Sequence, residues 1–365
     1  MASGLQAPGS GLRRTVERLV LLASREVRLL ASVTPVGAHR ERVRLVDAVE
    51  AGREASPRWG YAPVAHDELR RALDAAERAL AGESETPVDR LYLERLRELS
   101  LEAELCAAAG TPRLARLARE RFAAGDAVAR EASRLCRSWL DETREADPSG
   151  TLASDDADPR SLLSRMRAEV GRRRLPFTVV TRDTLAPLAA TGDGVILVAP
   201  GRRVTDEDAR RTVLHEIEGH ACPRARATEI PLALFRAGTA RGVDDQEGRA
   251  LLLEERAGLL GPRRRRQLAA RHRACEAMAE GATFAEVAPA LAREHGLDAL
   301  QAVVVAERVF RGGDGERPGL GRERVYLEAL VRVRAHLQAH PDDEPVLAAG
   351  QVAVGAAPAL RGLFT

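Results

Sequence analysis

The chain has 365 residues with 56 basic and 54 acidic side chains and a formal net charge of +2. That is room for about two domains with full-sized cores, and no global field that would recruit nucleic acid. Every basic residue is Arg, and Lys and Asn are absent, which excludes a P-loop with its phosphate lysine, Schiff-base lysine chemistry, a kinase strand lysine and N-glycosylation.

From Leu12 to about Glu145 the apolar residues recur at helical spacing, as in Val16, Leu19, Val20 and Leu22, and the pattern predicts a helical bundle. Arg13, Arg14 and Arg18 precede the apolar run Leu19 to Ala23, but Ser24, Arg25 and Glu26 break it too early for a signal peptide. No run approaches the roughly 18 apolar residues of a membrane span. Cys106, Cys136, Cys222 and Cys275 are far apart and form no C-x-x-C pair, which argues against a disulfide framework or a cysteine-rich zinc module. The expectation is a soluble cytoplasmic protein without nucleic-acid or membrane partners.

Asp141 to Asp158 concentrates acidic and small residues around Pro148 and Gly150 and reads as a linker, so a boundary is placed near residue 150. Pro176 to Val180 and Val195 to Ala199 are the strand candidates, bounded by Gly and Pro. Helices are then expected at 205–221, about 245–259, 262–280, 283–295, 297–310 and 322–339, followed by an Ala/Gly/Val-rich tail over 341–365. Arg263 to Arg266 is read as a solvated helix face. The fold class is α+β, predominantly helical, with one small sheet.

Thr205 followed by Asp208 resembles a capping box, so a helix starts there and carries His215, Glu216 and His220 in the pattern H-E-x-x-x-H. On a regular α-helix the i, i+5 spacing separates the two imidazoles by about 140°. If one turn widens to a π-bulge the angle falls to about 50° and both rings can grip one ion, and the flexible Gly219 suits that distortion. The bland alternative makes His215 a core histidine and His220 a C-terminal cap. A catalytic zinc needs a third protein ligand, and the segment Asp244 to Ala250 opens another helix carrying carboxylate candidates. Glu247 there could equally be an exposed helix-start carboxylate favoured by the helix dipole.

H-E-x-x-x-H followed by Q-E-G-x-A resembles the family named for its QEGLA motif, which includes bacterial flavohemoglobin expression-modulating proteins and eukaryotic microtubule-associated tyrosine carboxypeptidases. Arg308-Val309-Phe310-Arg311-Gly312-Gly313 is similar to the family's R-V-F-R-G-G, and Val325-Tyr326-Leu327 to its V-Y-L. The resemblance covers about residues 175–335. It implies a zincin-like catalytic domain over 151–340 behind a helical region over 1–150. It further implies a zinc peptidase with His215, His220 and Glu247 as Zn2+ ligands and Glu216 as general base. Glu254, on roughly the same helix face as Glu247, is read as an ordinary surface residue, with orientation of a ligand as the alternative.

A carboxypeptidase must hold a terminal carboxylate, and the planar fork of Arg does this best. Arg308, Arg311 and Arg322 are the candidates, with Arg311 preferred because Gly312-Gly313 lets a chain approach closely. Tyr326 is a candidate donor to the oxyanion or substrate backbone, or else a core edge beside Val325, Leu327, Leu330 and Val331. The strand at Val195 to Ala199 is a candidate edge for an extended peptide. Cys222 is read as a buried filler, with a redox-sensitive neighbour of the site as the other reading.

The chain departs from the family pattern at Glu218-Gly219, where Gly-Thr is common, at Arg249 in Q-E-G-R-A, and at Leu320 to Glu323 in place of F-T-K-D. The changes at Glu218, Arg249 and Arg322 fall where substrate fit, or the tuning of the metal ligands by their neighbours, would be set, and they bear on selectivity more than on zinc binding. The expected function is a zinc carboxypeptidase acting on a peptide or protein C-terminus; the alternative is a non-catalytic metal-binding regulator or scaffold.

Overall fold

The structure, a computed structural model, describes residues 11–83, 86–143 and 151–364. Seven helices come first: α1 (Gly11–Glu26), α2 (Leu29–Ser32), α3 (Ala38–Glu50), α4 (Asp67–Glu83), α5 (Pro87–Ala107), α6 (Arg113–Phe122) and α7 (Asp126–Leu140). The longest of them, α5, begins where Thr86 and Asp89 close a capping box and Pro87 occupies the first turn, a position at which the missing proline N–H costs nothing. Part of the expected linker, 144–150, lies outside the described residues.

Next come β1 (Leu152–Ala153), α8 (Leu162–Arg172), β2 (Thr178–Thr181), β3 (Ala189–Thr191), β4 (Val195–Val198) and β5 (Arg203–Val204). β2 and β4 realise the two expected strands and pair in parallel, and β3 pairs antiparallel with the other side of β4. The order β2-β4-β3 therefore puts β4 in the middle, and the expected peptide-docking edge at Val195 to Ala199 is already paired on both sides. β1 and β5 form a separate two-stranded ladder.

The remaining helices are α9 (Asp206–Leu214), α10 (Cys222–Ala227), α11 (Ala233–Ala237), α12 (Gly242–Arg256), α13 (Pro262–Ala279), α14 (Phe284–Arg293), α15 (Ala299–Phe310), α16 (Val325–Ala339), α17 (Glu344–Leu347) and α18 (Ala357–Leu360), with a π-turn between α9 and α10. Helix accounts for 65% of the structure, so the class is predominantly helical α+β. Among the described residues no helix is long and apolar enough to cross a membrane.

The largest apolar cluster takes in Val16 and Leu96 from the first helices, Leu251 from α12, Leu327 and Leu330 from α16, and Val346, Leu347 and Leu360 near the C-terminus. The Ala/Gly/Val-rich segment is thus packed into short turns. A second cluster binds Ile196 and Val198 of β4 to Val213 of α9 and to Ile217 and Ala221 of the π-turn. The run Arg263 to Arg266 is half-buried and paired rather than simply solvated: Arg263 bonds Asp208, Arg264 the buried Glu254, Arg265 the Glu142 carboxylate and Arg266 the Glu142 carbonyl.

Two close approaches fix the site. A Cβ at Gly219 would lie 2.6 Å from Ala250 Cβ, and one at Gly248 would lie 2.4 Å from the Ala329 carbonyl carbon. The π-turn, α12 and α16 are therefore stacked with backbones nearly in contact. Gly248→Ala should force α12 and α16 apart and cost about 1–3 kcal/mol or more, seen as a lower urea midpoint at unchanged slope; an unaltered midpoint would show that the contact yields freely.

Asp208 governs the entry to α9. It closes the capping box with Thr205 and accepts ion pairs from Arg211 at 2.6 Å and Arg263 at 3.0 Å. Burial works against its charge, and the two guanidiniums override it and lower its pKa to about 2. A depressed folded pKa means stability that is present above the unfolded value, near 3.9, and lost as pH falls toward about 2. Asp208→Asn should remove about 2 kcal/mol at neutral pH and flatten the pH dependence of unfolding in that acidic window; a variant with the wild-type slope would contradict the assignment.

Candidate active site

The helix begun at Thr205 changes pitch at His215. Residues His215–Ala221 form a π-helical turn, and the Cys222 N–H donates to the Ile217 carbonyl, five residues back. This is the widening that the i, i+5 histidine spacing requires, and it leaves the two imidazole centroids 5.0 Å apart. Gly219 serves the turn chiefly by its lack of a side chain, since the Ala250 methyl occupies the space a Cβ would need.

Glu247 stands opposite on α12. Its Oε2 is 3.5 Å from His215 Nε2 and 3.7 Å from His220 Nε2, and the donor atoms of the three residues all lie within 4.8 Å of one another. Nitrogen and oxygen ligands about 2.1 Å from a tetrahedral ion are separated by about 3.4 Å, so the donor set fits a single cation.

The far nitrogen of each ring is engaged. His215 Nδ1 lies 2.7 Å from Glu254 Oε1, and His220 Nδ1 lies 2.9 Å from Gln246 Oε1. Acceptors at Nδ1 assign the protons there and turn both Nε2 atoms toward Glu247. Glu254 is not a surface residue: it is fully buried and held by Arg264 through two bonds of 3.1 Å. Burial opposes its charge, yet Arg264 and His215 lower its pKa to about 2.

The cluster calls for positive charge at its centre. Burial disfavours an imidazolium at His215, but hydrogen bonds to Glu247 and Glu254 override it and raise the pKa to about 10. Burial also opposes the Glu247 carboxylate, and the two histidines hold it well below the usual range. Protons or a divalent ion can meet that demand.

Glu216, next to His215 and buried, turns its Oε2 to the Thr191 hydroxyl, which donates at 2.7 Å. The expected substrate residues gather beyond Glu247. Arg322 Nη2 is 3.4 Å from Glu247 Oε1. Arg308 donates to Glu323 at 2.9 Å and to the Tyr326 hydroxyl at 3.0 Å, while Arg311 lies 3.7 Å from the same Glu323. Tyr326 also sits under the guanidinium of Arg271 while its ring joins the main core. Burial and then the neighbouring Arg308 lower the Arg311 pKa to about 10, while Arg308 and Arg322 are held above the usual value despite burial. The close approach at Gly312-Gly313 is made by the chain itself: Tyr61 bonds both residues and Gly110 N–H donates to the Gly312 carbonyl.

Sequence reasoning missed Gln246, Thr191 and Glu323. Gln246 adjoins Glu247 within the motif, which is a usable signal, whereas Thr191 lies on a strand that no apolar pattern announces. Cys222 is buried, with its sulfur 3.8 Å from Arg173, and it packs as a filler.

Among curated proteins none matches the chain. The family model for microtubule-associated tyrosine carboxypeptidase matches residues 49–365. That span holds every residue of the cluster described above and most of the chain, and the protein belongs to the microtubule-associated tyrosine carboxypeptidase family.

Proposed function

We propose that the protein is a zinc-dependent carboxypeptidase that removes a C-terminal residue from a peptide or protein. The observation that carries this reading is the convergence of His215 Nε2, His220 Nε2 and Glu247 Oε2 within 4.8 Å, with both Nδ1 atoms tied to buried acceptors. Two neutral imidazoles and one carboxylate are the donor set of a catalytic zinc with a position left for water. A bound zinc ion supplies Lewis acidity, which polarises a carbonyl and acidifies water.

The remaining work falls to the chain. Glu216 accepts a proton from the attacking water and delivers it to the leaving amine, with the Thr191 hydroxyl fixing one carboxylate oxygen. Tyr326 accepts from Arg308, so its own hydroxyl proton is free to be given to the developing oxyanion. Arg308, Arg311 and Arg322 form the cationic wall on which the substrate's terminal carboxylate docks. Membership of the family points to a protein C-terminus as substrate.

Elemental analysis should find about one zinc per chain, and mass spectrometry of peptide digests should find loss of single C-terminal residues, abolished by a chelator. Glu216→Gln should keep the zinc and lose about 10²–10⁴-fold in kcat. Internal cleavage would make the protein an endopeptidase, and a zinc-loaded wild type no more active than Glu216→Gln would make it a non-catalytic metal-binding protein.

A further inference from the structure

The π-turn leaves one carbonyl without a helical partner. In an α-helix the Glu218 carbonyl would accept from Cys222 N–H, but that N–H is committed to Ile217, five residues back. In continued π register it would accept from residue 223, which is proline and has no N–H. A carbonyl stranded in this way is unfavourable unless another donor reaches it.

Arg249 reaches it. From α12, one turn past Gln246 and two residues past Glu247, its Nη1 donates to the Glu218 carbonyl at 3.1 Å, and its Nε donates to Glu344 at 3.0 Å. The side chain is buried, and Glu344 is itself held by Arg256 at 2.9 Å. The guanidinium therefore bolts the π-turn, at a residue between the two histidines, to the helix that carries Glu247. It also brings two of the chain's departures from its family pattern, Glu218 and Arg249, into contact.

We infer that Arg249 is a positioning residue: its guanidinium replaces the N–H that Pro223 lacks, holds the turn in π register, and so keeps His220 on the same side as His215. The inference rests on the reading of His215, His220 and Glu247 as zinc ligands. If the turn relaxes to α geometry, His220 swings away by about 90°, and one of the three donor atoms of the set is lost.

The test compares wild type, Arg249→Met, Pro223→Ala and the double variant, all as the full chain. Met keeps the aliphatic stem and leaves Glu344 paired with Arg256. Zinc affinity is read by competition with a chromophoric chelator, the cobalt-substituted protein gives the ligand-field spectrum, and amide hydrogen exchange is followed over 215–227. Arg249→Met should bind zinc about 10-fold or more weakly, alter the cobalt spectrum, and exchange about 10-fold faster in the turn. Pro223→Ala restores an N–H at the position from which the π register donates to Glu218, so the double variant should recover most of the affinity and protection. A generic packing defect at Arg249 would not be cured by that change. Should Arg249→Met fail to fold, recovery of folding and affinity in the double variant supports the inference, and a double variant as impaired as the single one overturns it. Unchanged affinity and exchange in Arg249→Met also overturn it while leaving the zinc reading intact. A wild type that binds no zinc instead removes the zinc reading, with hydrogen exchange still reporting on the bolt.

Discussion

Two histidines five residues apart cannot address one partner from a regular α-helix, because a turn of about 100° per residue carries the second ring about 140° from the first. One π-wound turn removes the conflict, and the rest of the site depends on it. The turn is held from three directions. The Thr205 and Asp208 capping box sets the phase of the helix that leads into it, Pro223 begins the helix that leaves it, and the Ala250 methyl presses against Gly219 from the side. The last contact does most to define the geometry, since the same helix brings Glu247 to both imidazoles.

The second organising feature is the sharing of buried carboxylates. Charges removed from water are tolerated only when paired and hydrogen-bonded, and here each carboxylate serves several cations. Glu254 joins His215 to Arg264, Glu247 joins both histidines to Arg322, and Glu323 lies among Arg271, Arg308 and Arg311. A chain whose only permanent cation is Arg suits this arrangement, because the planar fork spans two acceptors at once. The guanidiniums of this cluster divide: burial first, then neighbouring guanidiniums, depress Arg271 and Arg311 to about 10, whereas Arg308 and Arg322 are held above the usual value against burial, the first chiefly by Glu323 and the second by Tyr326 and Glu247.

Local signals in the sequence carried much of this architecture. Capping at Thr205, the periodic runs after it and the two β-branched stretches gave helix and strand positions close to those found, and the histidine spacing called for a π-turn if both rings were to reach one ion. Non-local facts were not legible. Glu254 reads as a surface residue because nothing in its neighbourhood announces Arg264 and His215 closing over it, and Arg263 to Arg266 reads as a solvated face for the same reason. β3 is Ala-Ala-Thr, without the β-branched run that marks a strand, so neither the strand nor Thr191 was expected. Arg249 reads only as a change bearing on substrate fit or on the tuning of the ligands, with no partner named, because that partner is a backbone carbonyl that only the π register sets free.

The small sheet has a different part from the one its composition suggested. β4 is closed on both sides and offers no edge, so an extended peptide cannot pair there. What the sheet does is support Glu216 from beneath. Ile196 and Val198 of β4 pack with Val213, Ile217 and Ala221, so the strand layer and the π-turn share one apolar seam, and Thr191 from the neighbouring strand reaches over that seam to the Glu216 carboxylate. His215 and His220 ride on that same π-turn, so the sheet backs Glu216 and both imidazoles together. Glu247 and the two Nδ1 partners, Gln246 and Glu254, come instead from α12, which contributes nothing to that apolar seam, and the donor set closes only where the sheet-backed turn and this helix meet.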